Sequence, residues 1–111
     1  MLPRLHRLRK TDIGAVITSG RTYQSPGLNL KIRSGDQSLS FAIVVSNKVA
    51  NLASDRNKLK RQIRYIINKN LGLMNRGFQG VFFAKNSLKT TLFKDLEKDI
   101  VYLLKSAGVI R

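Results

Sequence analysis

Residues 39–69 read LSFAIVVSNKVANLASDRNKLKRQIRYIINK, and within them the apolar repeat changes from every second residue to a helical spacing. In the first part Leu39, Phe41, Ile43 and Val45 alternate with Ser40, Ala42, Val44 and Ser46. That alternation predicts a strand with one covered and one accessible face, the usual antiparallel arrangement. In the second part Leu59, Ile63, Ile66 and Ile67 fall within an arc of roughly 100°, the width of a core-facing helical stripe. Ser54 or Asp55 is expected to cap this helix, and Asp55 also suits the positive end of its dipole. The helix should run to about Lys69. Arg56, Asn57, Lys60, Arg61 and Arg64 occupy the neighbouring arc of roughly 140°. With Lys58 they place five cations in residues 56–64, and Asp55 is the one acid close by.

Towards the C-terminus, LGLMNRG (residues 71–77) breaks the helical pattern and GVFFA (80–84) reads as a short apolar strand. Thr90 or Thr91 is expected to cap a last helix, with Leu92, Leu96, Ile100, Leu103 and Ala107 as its apolar stripe and Gly108 at its end. Towards the N-terminus, LNLKIR (28–33) alternates strictly, with Leu28, Leu30 and Ile32 facing one way and Asn29, Lys31 and Arg33 the other. SGDQS (34–38) supplies a hairpin loop, SPG (25–27) a turn, and Arg21 to Gln24 a further short strand. TDIGAVITSG (11–20) places Ile13, Val16 and Ile17 at helical spacing, with Thr11 as cap and Gly20 as terminator. The order is helix, two or three strands, helix, strand, helix. This is an α+β chain with helices packed on one sheet. No repeat, low-complexity block or long linker divides it, so residues 1–111 are read as a single domain.

Lys and Arg number 21 against 6 acids, a formal net charge of +15. Such an excess speaks of polyanionic partners, with nucleic acid ahead of membrane surfaces and acidic proteins. The 111 residues contain no cysteine, which excludes disulfides, thiolate zinc sites, iron–sulfur clusters and cysteine nucleophiles. His6 is the sole histidine and sits in a basic arm without a visible partner, so histidine triads and multi-histidine metal sites are not expected. No apolar run has the length of a membrane span. The opening MLPRLHRLRK lacks a secretory core, though it is basic and acid-free as transit peptides are.

A solvated helix face ordinarily mixes charge signs, because Glu–Lys pairs at i,i+4 are mildly stabilising. The cationic arc of residues 56–64 has almost no such pairs and reads instead as a phosphate-contacting face. Arg offers two-pronged hydrogen bonding to phosphate and Lys a mobile point charge. Catalytic groups are not evident. A metal-dependent nuclease needs several convergent carboxylates. Asp95 and Asp99 share a helix face, but Lys94 and Lys98 flank them, and Asp12 reads as first-turn charge. Gly77 and Gly80 flank a turn and do not form a phosphate loop.

VSNKVANLASDRNKLKRQIR resembles the signature of the bacterial ribonuclease P protein component. That family has a Val-Ser-Lys-Lys-Val-type run followed by Arg-Asn-Arg-x-Lys-Arg-x-x-Arg on a helix. Val45, Ser46, Lys48 and Val49 match the first part, and Arg56, Asn57, Lys60, Arg61 and Arg64 the second, with Lys58 in place of an Arg. The opening LRKTDI…V…SGR is similar to the family's start, and the likeness spans nearly the whole chain. It implies a two-layer αβββαβα sandwich on a mostly antiparallel sheet, with an unusual left-handed βαβ crossover. It also implies a protein subunit of ribonuclease P, an endoribonuclease whose RNA subunit removes the 5′ leader of precursor tRNA with Mg2+ in its own active site. No cofactor is then bound by the chain alone. The implied partners are ribonuclease P RNA, in a 1:1 complex, and precursor tRNA, in the cytoplasm and away from membranes. Arg56, Asn57, Lys58, Lys60, Arg61, Arg64, Ser46 and Lys48 would face the RNA subunit. Arg9, Lys10, Ile13, Ile17, Arg21, Tyr23, Lys31 and Arg33 would contact the leader, in a cleft between the first helix and the sheet. Some positions depart from the pattern. Ile13 and Ile17 stand where Phe is frequent, and plain core packing is a competing role for both. Asn47 replaces a Lys, and Ala42 a common Gly. The alternative function is a ribosomal or other structured-RNA-binding protein with no part in an enzyme.

Overall fold

In the computed structural model, residues 7–35, 39–85 and 93–110 are described. The elements are α1 (Lys10–Ser19), β1 (Arg21–Gln24), β2 (Leu28–Ser34), β3 (Leu39–Val44), α2 (Ala53–Asn70), a single 3-10 turn (Leu71–Leu73), β4 (Phe78–Ala84) and α3 (Phe93–Ser106). The strand at residues 39–44 and the helix beginning at Ala53 realise the change of period in the sequence. His6, most of the SGDQS loop, the expected caps Thr90 and Thr91, and Leu92 lie outside the described residues.

The sheet order is β1-β2-β4-β3. β2 and β3 are therefore not a hairpin: β4 lies between them, antiparallel to β2 and parallel to β3. The antiparallel expectation for β3 is corrected in the same way. The cause lies in β4, whose residues 79–82 are all buried. A strand that is apolar on both faces belongs in the sheet interior, and the half-polar β3 is left at an edge. α2 makes the long connection that a parallel neighbour requires. The backbone of Leu8 covers part of the β3 edge, its N–H donating to the Phe41 carbonyl at 3.0 Å.

Register fixes the faces. Leu28, Leu30 and Ile32 of β2, Leu39 and Phe41 of β3 and Phe82 of β4 are buried on one side with Ile63, Ile66 and Ile67 of α2 and Leu96, Ile100, Leu103 and Leu104 of α3. Gly80 lies under Phe41, where a Cβ would approach the ring to 3.1 Å. On the opposite side, Val16 of α1 is buried with Leu8 and Val81, backed by Ile13, Ala42 and Phe83. α1 thus packs on the sheet face away from the other two helices.

Two expected caps move. α1 starts from Arg9 and α2 from Leu52, neither with a side-chain cap. Thr11, Ser54 and Asp55 sit inside the first turns, because the backbones of Arg9 and Leu52 already accept the first helical bonds. Gly20 and Gly108 do terminate α1 and α3. At Gly108 (φ 80°) the chain turns left-handed, and the Val109 N–H reaches back to the Leu104 carbonyl at 2.9 Å, the closing bond of a Schellman motif.

Two candidate RNA-binding faces

α2 separates its apolar and cationic sides as its sequence spacing requires. Ile63, Ile66 and Ile67 are fully buried. Burial of three such side chains contributes roughly 5–9 kcal/mol at 1.5–3 kcal/mol each. Like-charge pairs on a helix cost only a few tenths of a kcal/mol apiece, so the apolar seam outweighs the crowding of charge. Asn57, Lys58 and Arg61 are exposed, whereas Arg56, Lys60 and Arg64, nearer the sheet, are half-buried. Arg56 differs from its neighbours: its Nη1 donates to the carbonyls of Ala50 at 2.9 Å and Asn51 at 2.8 Å. It fastens the loop before α2 to the helix and is only in part a surface cation. Val45 and Val49 of that loop are buried. The Ser46 carbonyl accepts from the Val49 N–H at 3.1 Å. Ser46 and Lys48 stand exposed on the anchored loop, at the N-terminal end of the cationic face.

The second face lies between α1 and the sheet. Lys31 donates from Nζ to the Ile17 carbonyl at 3.1 Å, which places a cation at the negative end of α1. Arg33 donates from Nε to Gln79 Oε1 at 2.8 Å. Ile13 packs into the small cluster around Val16, so the packing role holds for it. Ile17 is 38% exposed and remains on the surface of the cleft. Arg9 and Lys10 are exposed at the start of α1.

Arg21 and Tyr23 lie on the other face of the sheet and meet this group only at Arg33. Tyr23 pairs with Leu30 and Arg21 with Ile32, and paired residues share a face. Tyr23 accordingly packs against the main core. With Arg33, Ser19, Phe78 and Ala107 the two residues line a groove of about 590 Å³. The expected leader-contacting set is therefore divided between the two sheet faces.

Phe83 is the residue that sequence reasoning missed. It lies on the α1 side, half-buried, beside Ile13 and Ala42. Strict alternation in GVFFA carries the signal, since Phe82 in the core forces Phe83 to the opposite face. Its cross-strand partner is Asn29, whose buried Oδ1 has no hydrogen-bond partner among the described residues. The cleft thus holds an aromatic ring supplied by the sheet, with isoleucines on the helix.

Two carboxylates of α3 make contacts within the fold. Asp99 Oδ2 accepts from the Gly27 N–H at 3.1 Å, tying α3 to the turn before β2. Glu97 pairs with Lys69 of α2 at 3.1 Å. Among the described residues no three His, Asp or Glu converge as a metal site.

A family model for ribonuclease P matches residues 2–108 of the chain. The ribonuclease P protein component of Pseudanabaena sp. is 34% identical over 113 residues, covering 99% of this chain and 97% of the relative. That of Clostridium botulinum is 33% identical over 107 residues, covering 94% and 96%. The structure of the RNase P protein from Thermotoga maritima superposes with a TM-score of 0.83 at 28% identity, over 91% of this chain and 96% of that one. The Staphylococcus aureus RNase P protein shares the fold, with a TM-score of 0.86 at 18% identity over 98% and 100%.

Proposed function

The chain belongs to the ribonuclease P protein family and is a protein subunit of that endoribonuclease; from this premise we propose which surfaces do its work. The cationic face of α2, with Ser46 and Lys48 on the loop before it, binds the RNA subunit in a 1:1 complex. Neutralising phosphates releases counterions and lowers the RNA's self-repulsion. Less added salt is then needed to hold the catalytic RNA in its active fold. The observation that carries this reading is the one-signed face of α2, exposed at Asn57, Lys58 and Arg61.

The cleft between α1 and the sheet receives the single-stranded leader of precursor tRNA. Lys10, Lys31 and Arg33 supply positive charge, while Ile17 and Phe83 supply apolar surface. Holding the leader there favours precursor over mature product. The Mg2+ of the reaction belongs to the RNA subunit. On this chain two of the α3 carboxylates are already engaged, Asp99 with Gly27 and Glu97 with Lys69. Among the described residues no helix is long and apolar enough to cross a membrane, and we place the complex in the bacterial cytoplasm.

The test is reconstitution with a bacterial ribonuclease P RNA and precursor tRNA at low magnesium. Cleavage at the mature 5′ end that requires both RNA and protein is expected. Tight RNA binding without stimulated cleavage would instead favour a purely structural RNA-binding role, and cleavage by the protein alone would sink the assignment of the chemistry to RNA.

A further inference from the structure

α2 carries a large aromatic side chain outside its buried seam. Tyr65 lies on the side of the helix opposite Ile63, Ile66 and Ile67 and is 55% exposed. At about 100° per residue it sits roughly 40° from Arg61 and 20° from Lys58, at the outer margin of the cationic face. Arg61 precedes it by four residues, Lys58 by seven, and Asn68 and Lys69 follow by three and four. Helical side chains lean towards the N-terminus, so the Tyr65 ring covers the turn that bears Arg61. The acid of this helix, Asp55, is about a quarter turn farther round.

We propose that Tyr65 is a stacking platform for an unpaired base of the RNA subunit, with Arg61 and Lys58 holding the phosphates on either side of that nucleotide. The inference rests on the reading that α2 meets the RNA subunit, and it adds an interaction of a different kind. An aromatic ring accepts the π-face of any base, whereas cations alone read only the backbone. Bases inside a duplex are not accessible to a ring on a convex helix; a base splayed from a loop or bulge is. Lys58 and Arg61, which flank Tyr65 on its N-terminal side, favour a polyanion over an apolar protein partner, while Lys69 on the other side is paired with Glu97.

A comparison within the molecule sharpens the claim. Tyr102 is 59% exposed on α3, also between cations, Lys98 at i−4 and Lys105 at i+3. Its helix also carries Asp95, Glu97 and Asp99, so its surface is of mixed sign. Tyr102 therefore serves as a matched exposed tyrosine outside the proposed interface.

The experiment measures equilibrium binding of the full chain to a bacterial ribonuclease P RNA across a salt series. Tyr65→Ala is expected to weaken binding about 5- to 150-fold, the factor equivalent to about 1–3 kcal/mol per stacked base. Its salt slope should stay at the wild-type value, because no charge is removed. Tyr65→Phe and Tyr102→Ala should each bind within about twofold of wild type, given that range for a single stack. Unchanged thermal unfolding of Tyr65→Ala would show that the weaker binding does not come from a damaged fold. Three outcomes overturn the proposal. If Tyr65→Ala binds like wild type while Arg61→Ala binds weakly with a flattened slope, stacking is wrong and the α2 reading stands. If Arg61→Ala also binds like wild type, the α2 reading fails and takes this inference with it. If Tyr65→Phe is as impaired as Tyr65→Ala, the hydroxyl and not the ring meets the RNA.

Discussion

The two faces of this molecule deploy their cations differently. On α2, Lys58 and Arg61 are held out into solvent by a buried isoleucine seam on the other side of the helix. On the α1 side of the sheet, Lys31 and Arg33 are tethered, one to the Ile17 carbonyl and the other to Gln79. Solvent-exposed cations suit a large, phosphate-rich partner whose exact register is set elsewhere. Tethered cations around an apolar cleft suit a short single strand that must fit between fixed walls. The comparison predicts that the first face responds to salt and the second to side-chain shape.

The largest expected effect contrasts neighbouring residues on the two sides of β4. Phe82 is fully buried against Phe41, with ring centroids 5.8 Å apart. Phe82→Ala should destabilise the fold by about 3–5 kcal/mol, the usual cost for a buried Phe. Phe83→Ala should be much milder in thermal unfolding but should erase part of the preference for precursor over mature tRNA. Equal destabilisation by both would mean that Phe83 is core and not cleft.

Charge removal comes next. Arg61→Ala combined with Arg64→Ala should weaken RNA-subunit binding about 10- to 100-fold at moderate salt, and the log–log salt slope should fall by about 0.7–0.9 for each phosphate no longer neutralised. An unchanged slope would remove this helix from the interface. Arg56→Ala should behave otherwise. Its removal should lower folding stability by about 1 kcal/mol, as for a charge-assisted hydrogen bond near solvent, and change the salt slope less than Arg61→Ala. A slope change as large as that of Arg61→Ala, without destabilisation, would show that the loop clamp is unimportant.

Much of this was legible in the residues because it depends on local period. The stripe of Leu59, Ile63, Ile66 and Ile67 determined which side of α2 faces the sheet, and by subtraction which side carries charge. The alternation of residues 28–33 likewise placed Lys31 and Arg33 opposite the core. Strand order was not legible, since a short loop after Ser34 ordinarily joins hairpin partners and only the two-sided burial of β4 explains its insertion. The face of Tyr23 was hidden for a related reason. A four-residue strand has too little alternation to reveal its phase, which is set by pairing with Leu30. Arg56 read as one cation among five because a hydrogen bond to the carbonyls of Ala50 and Asn51 has no trace in helical spacing. The helix starts were missed because cap-forming residues are only one way to satisfy a first turn, and here none is used at α1 or α2.

The smallest expected effect is a gain. Ile17 is 38% exposed and bounds the cleft opposite the sheet, where a phenyl ring has room towards solvent. Ile17→Phe should cost little stability, because the side chain is not part of the packed cluster around Val16. It should tighten binding of precursor tRNA to the assembled enzyme about fivefold, the low end of base–aromatic stacking at about 1 kcal/mol. Affinity for mature tRNA should not change, since the added ring meets the leader. RNA-subunit affinity and its salt slope should also stay constant, because α1 and α2 lie on opposite faces of the sheet. Equal tightening of precursor and mature tRNA would place the new ring against the tRNA body and not the leader. A change in RNA-subunit binding would mean that the two faces are not independent, and the division of labour drawn from their cations would have to be given up.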